Sequence, residues 1–246
     1  MKLARPDLFH PRIVLAGPGD EPARGAAGRP AEGRFGQAGA EGEDAGLLAA
    51  LRRRGLQARW MPWDDPAAVH ADLVIVRATG GYRDRLASFL AWTRRVAHLL
   101  NAPDVLAWNA DERYLGDLRR AGVPTGAAPP SRRPTALVFL GGAQSHAFTG
   151  NSAVEADFEL WDVGRAALAA AADHLGMSTR DLLYARADVT GNPGGVRLVS
   201  LDVIAPSLGW RLLDDGAREV AQRQFAICVE SALERLGLGP FSHRRP

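Results

Sequence analysis

The stretch RLVSLDVIAPSL, Arg197 to Leu208, decides how the second half of the chain folds. Its apolar residues predict a buried strand that ends before Pro206. Ser200 and Asp202 lie two residues apart in it, so a strand directs both side chains to the same face of a sheet. Asp188, on the preceding predicted strand, is the expected neighbour. The stretch therefore predicts a strand pair with a polar cluster on one face.

The composition places the chain among globular proteins. Its 246 residues suffice for one large or two small domains, and 46% hydrophobic and 24% charged residues are ordinary for that class. The net charge is only +2, and the arginines form no stripe interleaved with aromatic residues, which argues against a nucleic-acid partner. A single cysteine, Cys228, excludes an internal disulfide bond, and no apolar run approaches membrane-spanning length. We therefore expect a cytoplasmic protein without a membrane segment.

Strands alternate with helices in the first half, which predicts a parallel α/β sheet over residues 11–122. The predicted strands are RIVLAG, LQARWM, ADLVIV and DVLAW. Asp44 is expected to cap the helix AGLLAALRRRG, one long helix is expected over residues 84–100, and Asn109 with Glu112 resembles a capping box. Residues 18–43, rich in Gly, Ala, Pro and Glu, are predicted to form a mobile loop.

The second half has a different character. A proline-rich connector, residues 125–134, precedes two predicted strands around Gly141-Gly142, a helix, the strand pair that contains Asp188 and Asp202, and a closing helix. We therefore predict an N-terminal α/β unit over residues 1–124, a linker, and an α+β unit over residues 135–246.

Polar side chains follow the predicted strands of the first half. Arg77, Thr79 and Tyr82 come directly after ADLVIV, and ligands of parallel sheets collect beyond the carboxyl ends of the strands. Arg77 has a structural alternative, an ion pair with Asp64 or Asp65.

Several segments resemble ATP-grasp proteins of the cycloserine-synthetase-like type. Residues 58–125, with DLVIVRATGGY and LLNAPDVLAWNADERYLGDLRRAGVP, are similar to the N-terminal region of that family. Residues 135–147 (TALVFLGGAQSHA) and 182–208 resemble the ends of its ATP-grasp core. The resemblance implies a pre-ATP-grasp-like parallel-sheet domain, a reduced ATP-grasp core, and descent from an ATP-dependent carboxylate–amine ligase.

The chain departs from that family where ATP would bind. The family carries a subdomain with a glycine-rich lid and a nucleotide-contacting lysine where this chain has only residues 125–134. The family's other nucleotide-side lysine corresponds to Arg113, and Gly80-Gly81 replace a tryptophan and an acid. Ten residues cannot cover a triphosphate, so the resemblance implies a truncated, degenerate member.

The resemblance also explains the polar strand pair. Asp188 and Asp202 match family positions that hold magnesium, whereas Ser200 and Ala205 replace further acids. Two carboxylates alone make a poor magnesium site. We therefore expect neither ATP nor magnesium, nor any other cofactor, for the isolated chain.

The candidate site residues follow from both arguments. Asp202, Asp188 and His146 are the candidate catalytic residues, because an aspartate or a histidine can accept a proton from a reacting amine. The candidate substrate-binding residues are Arg77, Thr79, Tyr82, Arg186 and Ser200. Each has a structural alternative, in which these groups only satisfy one another.

Three functions remain open at this stage. The first is a biosynthetic enzyme of secondary metabolism that acts without ATP on an amino-acid-like, already activated substrate, including one held by a carrier protein, by intramolecular displacement or elimination. The second is a split ligase whose lid comes from another chain. The third is a non-catalytic pseudoenzyme that binds a metabolite or a partner.

A partner is expected on separate grounds. Loss of the lid is predicted to uncover an apolar face around Phe139, Val199 and Leu201, which a second small subunit or a homodimer would cover.

Overall fold

The computed structural model describes residues 10–17, 42–79, 81–192 and 194–239. Its first half contains a parallel sheet in the order β2-β1-β3-β4. The strands are β1 (Arg12–Ala16), β2 (Gln57–Met61), β3 (Leu73–Val76) and β4 (Leu99–Leu100). All of β3 and most of β1 are apolar and buried, as expected where helices or loops cover both faces of a parallel sheet. The predicted parallel sheet is therefore confirmed.

Two predicted elements of the first half differ from the structure. The helices are α1 (Leu47–Arg53), α2 (Leu86–Thr93), α3 (Pro103–Asn109) and α4 (Tyr114–Arg120), with 3₁₀ turns at Pro66–His70 and Tyr82–Arg85. The segment DVLAW is helical rather than a strand, because Pro103 favours the first position of a helix. The long helix predicted over residues 84–100 ends at Thr93, because Leu99 and Leu100 pair with β3 and complete the sheet.

The second half contains an antiparallel sheet in the order β7-β6-β5-β8-β9. Its elements are β5 (Thr135–Leu140), β6 (Ala143–Thr149), β7 (Ser152–Val154), α5 (Phe158–His174), β8 (Tyr184–Thr190), β9 (Arg197–Asp202) and α6 (Asp215–Arg235), with 3₁₀ turns at Thr179–Asp181 and Trp210–Leu212. The hairpin around Gly141-Gly142 is confirmed, since both glycines have the positive φ of a tight turn. The predicted α/β plus α+β class is likewise confirmed.

The apolar face of this sheet is covered by α5. Phe139 and Leu201 are buried in one cluster with residues of that helix, and a Cβ atom on Gly164 would lie only 2.9 Å from the Phe139 ring. The expectation that Phe139 and Leu201 form an exposed face is therefore wrong. Val199 is half-buried at an irregularity in the β8–β9 pairing.

One hydrophobic core joins the two halves. It includes Leu15 and Leu73 of the parallel sheet together with Val138, Tyr184 and Phe225 of the second half. The Tyr184 hydroxyl donates to the carbonyl oxygens of Val76 and Ile204, one from each half. The position of each strand end relative to the second sheet is therefore fixed by shared packing.

Two buried asparagines add polar connections between the halves. Asn101 donates to the carbonyls of Tyr184 and Val203 and accepts from the Leu183 amide, at 2.7 to 3.0 Å. Asn109 is the last residue of α3 rather than a cap of the next helix. Its side chain donates to the Leu201 carbonyl and accepts from the Val203 amide. These bonds satisfy backbone groups at and beyond the ends of β8 and β9.

Within the described ranges, no helix is long and apolar enough to cross a membrane.

Candidate functional site

Strand β8 supplies one polar face of the second sheet. Because side chains alternate along a strand, Tyr184, Arg186, Asp188 and Thr190 share that face. The register places Asp202 of β9 opposite Arg186, and Ser200 opposite Asp188. We call Arg186, Asp188, Ser200 and Asp202 the polar cluster. The structure thus brings together four of the residues predicted as site residues.

The centre of the polar cluster is a two-pronged ion pair. Arg186 Nε and Nη2 donate to the two Asp188 carboxylate oxygens at 2.8 and 3.2 Å, and Ser200 Oγ donates to Asp188 Oδ2 at 3.0 Å. The guanidinium also stacks on Phe148, 5.2 Å from the ring centroid. The Arg186 side chain is 26% exposed, and its remaining N–H groups stay free of this ion pair. A partly accessible guanidinium held in this way is suited to binding an anion.

Asp202 has the environment of a proton acceptor. Burial raises the pKa of its carboxyl group, while the backbone amides of Ile204 and Ala205 and the charges of Arg186 and Arg83 oppose that shift. Ile204 N donates to Oδ1 at 3.0 Å, which fixes the orientation of the carboxylate. A raised pKa makes this carboxylate a better base than a solvated aspartate, provided that a substrate reaches it.

The first half contributes Tyr82 and its neighbour to the site. Burial raises the pKa of Tyr82, and the charge of Asp202 adds to that rise. Arg83 lies beside the Tyr82 ring, 5.8 Å from its centroid, and within electrostatic range of Asp202. Arg83 had no sequence signal of its own, because it is one of many scattered arginines. It adds a positive charge at the junction of the halves.

Glu43 is a further carboxylate that the sequence interpretation assigned to the loop of residues 18–43. Residues 18–41 lie outside the described ranges, but Glu43 accepts a hydrogen bond from the Ser207 hydroxyl. Burial raises the pKa of Glu43, the Asp44 charge raises it further, and the charges of Arg77 and Arg186 oppose the rise. This carboxylate therefore lies within electrostatic range of the polar cluster.

Arg77 lies in the protein interior instead of lining the polar cluster. Its Nε and Nη2 donate to the Asp44 carboxylate at 3.2 and 3.0 Å, with both side chains no more than 3% exposed. Nη2 also donates to the Pro206 carbonyl, and the guanidinium faces the Tyr184 ring at 5.0 Å. The expected pairing of Arg77 with Asp64 or Asp65 is wrong. Asp44 pairs with Arg77 and caps no helix, since Gly46 precedes α1 without a side-chain hydrogen bond.

Thr79 and His146 also lie apart from the polar cluster. Thr79 is buried at 3% exposure. His146 shares the polar face but lies on β6, three strands from Asp202, which corresponds to roughly 14 Å at normal strand spacing. Its Nε2 donates to the Leu208 carbonyl at 2.6 Å, and its Nδ1 lies 2.9 Å from the Ser145 hydroxyl. Burial lowers the pKa of His146, and both ring nitrogens already have protein partners.

The residues that the resemblance assigns to magnesium and ATP do not fit those groups. Both oxygens of Asp188 are bound by Arg186, and Asp202 accepts from a backbone amide. In the parts of the chain that the structure describes, no three His, Cys, Asp or Glu side chains are grouped to hold a metal ion. Arg113, at the family's lysine position, is 89% exposed and pairs with Asp111.

Comparison with known proteins identifies the relatives of the chain. The family described as the D-cycloserine synthetase DcsG N-terminal domain matches residues 29–101. The cycloserine biosynthesis protein DcsG of Streptomyces lavendulae is 35% identical over 83 residues, which are 32% of this chain and 28% of that protein. The match thus spans less than a third of the length of that curated relative.

Solved structures share the fold over most of the chain. The crystal structure of D-cycloserine synthetase DcsG superposes with a TM-score of 0.69 at 21% identity, covering 90% of this chain and 99% of that one. The D-alanine–D-alanine ligase of Bacillus anthracis, solved with ATP, gives 0.57 at 10% identity and covers 93% and 98%. The ATP-grasp ligase PsnB gives 0.55 at 13% identity, with 91% and 100% covered. At these identities the superpositions establish the fold alone. The chain is therefore related to the cycloserine-synthetase-like ATP-grasp proteins, through residues 29–101 in sequence and through the ATP-grasp ligase fold over most of its length.

Proposed function

We propose that the chain is a biosynthetic enzyme of secondary metabolism that acts without ATP on an amino-acid-like, already activated substrate. The observation that carries the proposal is Asp202, a half-buried carboxylate with a raised pKa that lies opposite Arg186 at the junction of the two halves. The relationship to a cycloserine biosynthesis protein supports the assignment to secondary metabolism.

The proposed reaction is an intramolecular displacement. Asp202 accepts a proton from the substrate amine, because only the unprotonated nitrogen is nucleophilic. The nitrogen lone pair then forms a bond to the carbon that carries the leaving group. The carbon–oxygen bond breaks, and sulfate, phosphate or carboxylate departs with the bonding electron pair. Elimination uses the same base and leaving group, with the proton taken from a carbon atom.

The arginines have separate tasks in this scheme. Arg186, held by Asp188, directs its free N–H groups toward the charge that develops on the leaving group. Arg83 contributes a second positive charge beside Tyr82. Holding amine and leaving group in one orientation supplies much of the rate enhancement of an intramolecular reaction.

We propose that the chain does not depend on ATP because it lacks the lysines and the lid that would contact the nucleotide. The whole sequence holds a single lysine, Lys2, so a lysine is missing from both family positions that contact the nucleotide. Residues 125–134 contain no helix or extended strand that could close over a triphosphate. A partner chain or a second copy is part of the proposal, because the residues of the polar cluster are only half-buried in this chain.

Isothermal titration calorimetry with Mg-ATP tests the absence of nucleotide dependence. We expect no binding tighter than about 1 mM for the purified chain, because the lysines and the lid are absent. An ATP-grasp ligase that binds ATP, titrated in the same buffer, is the positive control. A dissociation constant of about 1 μM would contradict the proposal. If Mg-ATP binds with that affinity only after a partner chain is added, the result would instead support a split ligase.

A further inference from the structure

A polar cavity lies at the turn end of the β8–β9 hairpin. It has a volume of about 450 Å³ and lies between the connector and the glycine-rich turn that joins the two strands. Arg132, Thr190, Asn192, Gly194 and Arg197 are among its lining residues. Thr190 is two residues from Asp188 and four residues from Arg186 on the same strand face, so the cavity begins roughly 7 Å from the nearest residue of the polar cluster and roughly 13 Å from Arg186.

Two arginines give the cavity a positive charge. Neither Arg132 nor Arg197 forms a salt bridge with a carboxylate among the described residues. Arg132 Nη1 instead donates to the Asn192 side-chain oxygen at 2.5 Å. The Arg197 side chain lies against the connector, where a Cβ atom on Gly126 would be 2.7 Å from its Cδ. Two acids lie nearby: Glu159 accepts from the Gly194 amide at 2.8 Å, and Asp188, two residues from Thr190 on the same strand face, pairs with Arg186.

Thr190 provides an independent indication that the cavity binds a ligand. The residue is only 3% exposed, and its buried hydroxyl has no hydrogen-bond partner among the residues that the structure describes. A buried hydroxyl without a partner is destabilising, so native proteins normally satisfy it. Thr190 pairs directly with Arg197 on the neighbouring strand, and both line the cavity. An acceptor bound there would therefore lie next to the Arg197 guanidinium and the Thr190 side chain.

We propose that this cavity binds a tetrahedral oxyanion, the phosphate or sulfate group of a small ligand. Arg197 and Arg132 neutralise its charge, and the Thr190 hydroxyl donates to one of its oxygens. A tetrahedral oxyanion suits this donor set because it offers several acceptor oxygens to donors that converge from both strands and from the connector. The inference does not depend on the proposed reaction, since it rests on a different part of the sheet face.

Calorimetric titration of the full chain with inorganic phosphate, sulfate and O-phosphoserine tests this site. We expect saturable binding with a dissociation constant of about 1 mM at low salt for at least one of them. The comparison of O-phosphoserine with phosphate shows whether the site prefers an ester or the free ion. Arg197→Gln is expected to weaken binding about tenfold, and Thr190→Val about threefold.

Two further measurements distinguish binding at a specific site from nonspecific attraction of the anion to positive charge. Arg95→Gln, which removes an exposed arginine of the first half, is expected to leave binding unchanged. Thr190→Val is expected to keep or raise the melting temperature without phosphate, because it removes a buried hydroxyl that lacks a partner. The proposal is overturned if no probe binds up to about 20 mM. It is equally overturned if Arg197→Gln weakens binding no more than Arg95→Gln, or if Thr190→Val leaves binding unchanged while lowering the melting temperature.

Discussion

Replacing Asp44 by asparagine is expected to lower the free energy of unfolding by about 3 to 5 kcal/mol. The carboxylate of Asp44 is the acidic partner of the fully buried Arg77 guanidinium. Asparagine keeps the shape but removes the charge, so the buried Arg77 loses the carboxylate that it contacts directly and keeps only the more distant charge of Glu43. Chemical denaturation of the variant and the parent, followed by circular dichroism, measures the difference.

Two comparisons make this result specific. Asp64→Asn breaks an exposed pair with Arg85, whose side chains are 45% and 52% exposed, and is expected to cost less than about 1 kcal/mol. The double variant Asp44→Leu with Arg77→Met is expected to recover much of the loss, because no unpaired charge stays buried. A decrease in the free energy of unfolding of less than about 1 kcal/mol for Asp44→Asn would show that the ion pair does not hold Arg77 in place. Arg77 would then again be a candidate substrate-binding residue.

Asp202→Asn and Arg186→Lys are each expected to lower turnover about a hundredfold or more. The first variant keeps the hydrogen bond from Ile204 but removes the proton acceptor. The second keeps the charge but loses the two-pronged contact with Asp188. Steady-state kinetics and thermal denaturation of the same preparations provide the two readouts.

The melting temperature separates a catalytic from a structural role. Because the pKa of Asp202 is raised in the folded state, ionisation of this carboxyl costs stability as the pH rises above its unfolded value near 3.8. Asp202→Asn is therefore expected to keep or raise the melting temperature at pH 7. Asp162→Asn and Arg165→Lys, on the exposed side of α5, are matched controls with unchanged activity. Full turnover in both site variants would exclude this site, and unfolding of both would favour a purely structural cluster.

Local sequence patterns predict an element correctly where the burial of its side chains follows the spacing of apolar and polar residues. The alternation in RLVSLDVIAPSL predicts that Ser200 and Asp202 share one sheet face with Asp188 as a neighbour, and the structure places Ser200 opposite Asp188 and Asp202 opposite Arg186. The parallel sheet followed from apolar runs such as those of β1 and β3. DVLAW was misassigned as a strand, because short apolar runs suit either element and Pro103 decided in favour of a helix.

The remaining features depend on contacts between residues distant in sequence. Asp44 and Arg77 are 33 residues apart, and nothing in either segment indicates that they pair. Asn101 and Asn109 match ordinary loop or cap residues, yet they bind backbone groups more than 80 residues away. His146 could be recognised as a histidine on a strand, whereas its three-strand separation from Asp202 required the sheet order. Tertiary structure, not local pattern, determines which polar residues share the site.

Turnover in the absence of ATP is the measurement that tests the central claim most directly. The full chain, with any partner that co-purifies, is incubated with O-sulfo, O-phospho and O-acetyl amino-acid derivatives in nucleotide-free buffer. Mass spectrometry follows the cyclised or eliminated product, and ion chromatography follows the released anion. The account predicts that at least one derivative yields product and anion in equal amounts, and that Asp202→Asn abolishes both. Product that forms only when ATP is added, with ADP released in equal amount, would contradict it.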